Sequence, residues 1–142
     1  MTVKEFLKKG RNLNDEINAD VQALVKLRAL VYGTAARYDN VRVQTSPGNT
    51  QENNIIKLIE LENKINAKID RLIDYQSKMH DLINSVDNTR YRTLLTERYI
   101  NCKTWEEIAA EFKFKDVRHI YRLHGEALRA IPYKEFTSII NE

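Results

Sequence analysis

Two long stretches of the chain repeat apolar residues on a seven-position period, and that repeat leaves few folds open. Its first rows hold Val3, Phe6, Gly10, Leu13, Ile17, Asp20, Leu24, Leu27 and Val31. It returns in Ile55, Leu58, Ile65, Ile69, Leu72, Met79, Ile83 and Val86, with Glu62 and Gln76 as polar interruptions. Spacings that alternate three and four put one apolar stripe on a helix, as in a coiled-coil seam. Gly10 and Asp20 weaken the first seam, and the opening turns are expected to fray or bend around Gly10. The economical arrangement of two such helices is an antiparallel hairpin with the seams facing each other. Residues 33–51 break the pattern with Gly33, Asp39, Asn40 and the run Ser46-Pro47-Gly48-Asn49. They read as a flexible connector, the alternative being a short strand or a contact arm using Arg37 and Arg42.

Composition supports the same class. Only 4 Gly and 2 Pro occur in 142 residues, far below average usage. The four glycines stand too far apart for a dinucleotide-binding loop. The lone Cys102 cannot form an intramolecular disulfide or a thiolate metal site, which suits a cytoplasmic protein. No apolar run is long enough for a signal peptide or a membrane span. Lys and Arg number 23 against 20 Asp and Glu, a net charge of +3, so the placement of charge decides what it means. The expected fold is all-α, with a long coiled-coil-like hairpin over residues 1–86 and a helix-turn-helix domain over residues 87–142.

After Asp87-Asn88-Thr89, a stop followed by a new cap, the pattern changes. RYRTLLTERYIN, residues 90–101, is amphipathic through Leu94, Leu95, Tyr99 and Ile100. Thr104-Trp105-Glu106-Glu107 has the form of a capping box, in which the Thr hydroxyl and the third-residue carboxylate exchange bonds with each other's amides. Ile108, Ala109 and Phe112 would be the buried side of that short helix, Ala109 allowing close helix approach. A last helix is expected over residues 117–131, ended by Pro132, with its cap open between Lys115 and Asp116. Its inward side is Ile120, Leu123, Ala127, Leu128 and Ile131. Short helix, tight turn and longer helix form the plan in which the second helix enters a DNA major groove. Arg118 and Arg122 suit bidentate contacts to guanine or phosphate, with His119 and Tyr121 beside them.

RYRTLLTERYINCKTWEEIAAEFKFKDVRHIYRLHGEALRAI, residues 90–131, resembles the region-four DNA-binding helices of bacterial sigma factors. The resemblance rests on Arg98-Tyr99, on the Thr-x-Glu-Glu-Ile-Ala opening at Thr104, and on the closing Ala127-Leu128. With the preceding hairpin and the phrase YRLHGEAL, the chain resembles the phage late-transcription activators of the ArpU and RinA type. The resemblance implies DNA-facing positions at Val117, Arg118, His119, Tyr121 and Arg122, with Lys115 and Thr104 flanking them. Val117 stands where sigma proteins carry Arg or another polar residue, which would substitute a thymine-methyl contact. The turn before Asp116 is one residue longer than the sigma pattern.

The implied function is a sequence-specific regulator, an activator of phage late or packaging genes, in the cytoplasm of a bacterial host. Its partner would be double-stranded promoter or operator DNA, without a membrane. The hairpin would supply homodimerisation or a contact to host RNA polymerase. The rival reading is a DNA-packaging assembly protein like a small terminase subunit. His119 and His124 share no helix face and His80 lies far off, so neither a metal nor another cofactor is expected. No nucleophile has a general base nearby in sequence, and no enzymatic activity is expected. Trp105 is expected to lock the motif to the rest of the protein, and Cys102 to be a half-buried turn thiol.

Overall fold

The computed structural model describes residues 1–41 and 47–142, with side chains described outside residues 34–49. The helices are α1 (Val3–Val41), α2 (Pro47–Asn84), α3 (Thr89–Leu95), α4 (Trp105–Glu111), α5 (Val117–Arg129) and α6 (Tyr133–Ile140). Thr96–Ile100 continues α3 as one π-helical turn. No strand occurs among the described residues, so the all-α expectation holds.

The helices run further into residues 33–51 than the sequence suggests. α1 passes through Gly33 to Val41, and α2 starts at Pro47. One Gly weakens a helix by about 1 kcal/mol without ending it, and Ala35, Ala36 and Arg37 after it are good helix formers. Pro47 sits in the first turn, where its missing N–H leaves no bond unmade. Loss of the apolar period, not loss of helix, made this stretch look like a loop. The flexible-connector expectation for residues 42–46, and the contact arm with Arg42 and the Arg37 side chain, lie outside the described residues.

The chain divides into two compact units, Asp15–Arg71 and a second that joins Met1–Asn14 to Leu72–Glu142. In Asp15–Arg71 the two helical arms are antiparallel. Lys68 Nζ bonds Glu16 and Asp20 at 2.8 and 2.7 Å, and Arg28 pairs with Glu62. Ile17, Leu58 and Ile65 are the buried seam residues between the arms. Asp20 and Glu62, the polar interruptions of the seams within this unit, are thus each answered by a cation from the opposite arm.

The second unit is not the sequence segment after Val86. Phe6 and Leu7 of α1 and Met79, Leu82, Ile83 and Val86 share one core with Leu94, Leu95, Ile108, Ile120 and Ala127. Phe6 stacks on Tyr75 at 4.8 Å and meets the edge of Phe136 at 6.0 Å. The Tyr75 hydroxyl donates to the Phe6 carbonyl at 2.7 Å, and burial pushes its pKa up to about 12. Gly10, expected to fray the first turns, is buried in the helix instead. A Cβ there would lie 2.1 Å from Met79 Sδ and 3.0 Å from Tyr75 Cδ1, so its lack of a side chain lets α1 and α2 approach. α6, unmarked by any periodicity long enough to read, closes the core with Phe136 and Ile139.

Candidate functional site

α4 and α5 owe their placement to local chemistry at both ends of the turn between them. The Thr104 hydroxyl accepts from the Glu107 amide at 3.2 Å and starts α4. That half of the capping box forms, but no bond from the Glu107 carboxylate to Thr104 accompanies it among the described residues. Ile108 and Ala109 are buried toward α5. α4 ends in a Schellman arrangement, with the Phe114 amide bonding Ala109 O at 2.8 Å and the Lys113 amide bonding Ala110 O at 3.1 Å. The motif needs a left-handed residue after the cap, where Gly is usual; here Lys113 takes it, at φ 61. Asp116 then caps α5, its carboxylate accepting from the Arg118 amide at 2.9 Å. This settles the start of the helix on Asp116 rather than Lys115.

The outer side of α5 carries the residues singled out from the sequence, though not all together. Arg118, His119 and Arg122 line one shallow concavity of about 330 Å³ with Asp116. The Arg118 side chain is 86% exposed and lies over its own cap, Nε and Nη2 at 2.7 and 2.6 Å from Asp116 Oδ2. That guanidinium holds the Asp116 carboxyl below the usual carboxylate range. The His119 ring rests against Phe114 at 5.6 Å. Tyr121 stands apart from these, 48% exposed and edge-on to Trp105 at 5.5 Å. Val117 is half-buried against the core. Lys115 is exposed in the turn before α5, and Thr104 is exposed with its hydroxyl used as the α4 cap.

Beside Tyr121 lies a larger cleft of about 600 Å³ that the sequence did not reveal. Lys4, Lys8 and Arg11 of α1 line it together with Arg98 and Tyr99 of the π-helical turn and with Trp105, His124 and Gly125. The π turn carries Arg98 and Tyr99 next to the start of α4. The Arg98 guanidinium lies 4.1 Å above the Trp105 ring and donates to the Lys103 carbonyl at 3.0 Å. Burial, and next the charge of Arg11, hold its pKa below the usual range. Lys103 itself is tied to Glu97 and Glu111.

His124 forms the deep side of the cleft, only 7% exposed. Its Nε2 and the Tyr99 hydroxyl are hydrogen-bonded at 2.7 Å, and its ring meets Trp105 at 4.7 Å. Burial first, then the charges of Lys4 and Arg98, lower its pKa to about 4, so it is neutral at pH 7. Burial likewise raises Tyr99 to about 12. A neutral imidazole in an aromatic setting is a packing element here and does not add to the positive charge around it. Among the described residues no group of His, Cys, Asp and Glu could hold a metal ion, and no helix is long and apolar enough to cross a membrane.

No curated protein and no solved structure matches the chain. A family model does match residues 32–131, a stretch that includes all of α2 to α5. The chain therefore belongs to the family described as protein of unknown function DUF1492.

Proposed function

We propose that the chain is a sequence-specific DNA-binding transcription regulator, related in its last helices to sigma region four and in its whole plan to the phage late activators. α4 and α5 act as a helix-turn-helix and α5 enters the major groove. The observation that carries this reading is the outer side of α5, where Arg118, His119 and Arg122 share one solvent-facing surface at the N-terminal half of the helix. The inner side, with Ile120, His124 and Ala127 buried, fixes that surface on the core. In such motifs the first residues of the second helix meet the base edges.

Asp116 serves this arrangement by holding Arg118 over the start of the helix before any partner arrives. Arg118 is solvent-exposed and Asp116 partly so, so the guanidinium can turn a donor pair toward a guanine edge at little loss. One such helix buries a small surface, and a second copy on a repeated half-site raises affinity. Val21, Val25, Ile56 and Ile59, all exposed within Asp15–Arg71, favour homodimerisation through the hairpin arms.

The test is selection of bound fragments from a randomised duplex pool at near-physiological salt. The recovered sequence is then titrated against wild type and the Arg118→Ala/Arg122→Ala double variant. A recovered motif bound tens-fold more weakly by the variant is the expected result. No enrichment, with weak binding that disappears as salt is added, would refute the proposal.

A further inference from the structure

A glycine in the middle of a helix weakens it, and an internal reason for one is normally visible as a neighbour that a side chain would strike. Gly10 has such a neighbour; Gly33 and Gly125 have none, and of these two Gly125 is the one beside gathered cations. A Cβ built on Gly125 would find nothing closer than the Arg129 guanidinium, at 3.5 Å, an ordinary contact. Nor does the backbone demand glycine, since no glycine among the described residues has positive φ. Gly125 lies in the basic cleft, one turn beyond Tyr121 and on the same outer stripe of α5 as Arg118 and Arg122. A bare backbone at an open position beside cations is suited to something arriving from outside and coming close.

The charge of the cleft says what that is. Lys4, Lys8 and Arg11 fall at helical spacings of four and three, which places them on one side of α1. They face Arg98, itself stacked on Trp105. No carboxylate lines the cleft among the described residues. Lys4, Lys8 and Arg98 gather like charge in this cleft without a lining anion and repel each other. A multiply charged oxyanion seated among them removes that repulsion.

We infer that this cleft is a phosphate site, and that it takes a backbone phosphate of the same duplex whose groove receives α5, with Lys4 and Lys8 as its charges and Gly125 as the point of closest approach. The inference rests on the DNA-binding reading for the source of the phosphate, though not for the site. It gives α1 a task in binding: its first turns track the strand beside the groove while Arg118 and Arg122 read bases within it. Contacts of the first kind add affinity without sequence preference.

The chain's single Trp is the one under Arg98, so its emission reports the cleft directly. The full chain is titrated with a mixed-sequence duplex, with the selected duplex, and with pyrophosphate as a free phosphate source. Wild type is compared with Lys4→Gln/Lys8→Gln and with Gly125→Ala. The duplex should change Trp105 emission. The double variant should bind every duplex about five- to thirtyfold more weakly at about 0.15 M salt, with the slope of log K against log salt reduced by about two and base preference unchanged. Gly125→Ala should melt at a higher temperature than wild type yet bind duplex more weakly, a combination that damage to the fold cannot produce.

If both variants bind duplex with wild-type affinity and slope, the cleft takes no backbone phosphate of the duplex, the inference is overturned and the α5 reading stands alone. If no duplex binds but pyrophosphate quenches Trp105 in wild type and not in Lys4→Gln/Lys8→Gln, the site holds free phosphate and its DNA source is refuted. Silence of Trp105 toward all three ligands refutes site and source together.

Discussion

Acidification from about pH 7.5 to pH 5 should destabilise the unit that contains α5, and His124 should account for the loss. The ring is 7% exposed, lies against Trp105, and is hydrogen-bonded through Nε2 to Tyr99. The charged groups that act on it, Lys4 from α1 and Arg98 from the π-helical turn, are both positive. In the unfolded chain the ring titrates near 6.5, and in the fold near about 4. Between those values the unfolded chain holds the extra proton, so protons favour unfolding. Stability is therefore complete above about pH 6.5 and falls as the pH drops toward 4. The separation corresponds to roughly 3 kcal/mol in full, of which about 2 kcal/mol is lost by pH 5. That is a large part of the 5–15 kcal/mol typical of a folded domain. Asp116 and Glu97, whose carboxyls Arg118 and Lys103 hold low, add their own losses only below the ordinary carboxylate range.

The assay is urea unfolding at several pH values, followed by Trp105 emission, for wild type and for His124→Gln. Wild type should lose about 2 kcal/mol more than the variant between pH 7.5 and 5. Equal losses in the two proteins would refute the reasoning, because the sensitivity would then belong to groups other than His124.

Five further variants test the helices, their caps and their exposed faces. Gly10→Leu should cost about 1–3 kcal/mol because it overpacks the Met79 contact, whereas Gly33→Ala, with nothing within 4 Å, should gain about 0.5–1 kcal/mol; urea midpoints decide. Lys113→Gly relieves a left-handed residue and should stabilise by about 0.5–1 kcal/mol in the same assay. Thr104→Ala removes the α4 cap and should cost about 1 kcal/mol, with base preference in duplex titrations unchanged. Val25→Glu/Ile56→Glu should convert a dimer to a monomer by sedimentation without lowering the urea midpoint. A wild-type monomer would instead end the dimer reading, and a ring of eight or more subunits would favour a packaging protein.

The helical class and the buried seams were legible because periodicity is a local signal: Ile17, Leu58, Ile65 and Ile83 follow from spacing alone. A cap within Asp87-Asn88-Thr89, which falls on Asn88, and the cap at Thr104 were legible for the same reason, since such side chains act on amides two or three residues ahead. What escaped was non-local or lacked its usual marker. Lys113 ends α4 where a glycine would have announced the turn. Gly10 looked like a defect because its reason, Met79, lies on another helix. The Lys4, Lys8 and Arg11 spacing is visible in the sequence, but nothing there places it against Arg98 and α5. His124 was weighed only as a ligand, since a polar residue gives no periodic sign that it will be buried.

The unit made of Met1–Asn14 and Leu72–Glu142 carries a consequence for the order in which the protein assembles. Phe6 and Leu7 leave the ribosome well before their core partners Leu94, Ile120 and Phe136. This core is therefore built from contacts of high sequence separation, which slow folding relative to a bundle of neighbouring helices. Deleting the first helical turns would take Phe6 and Leu7 out of a core otherwise built from residues beyond Leu72.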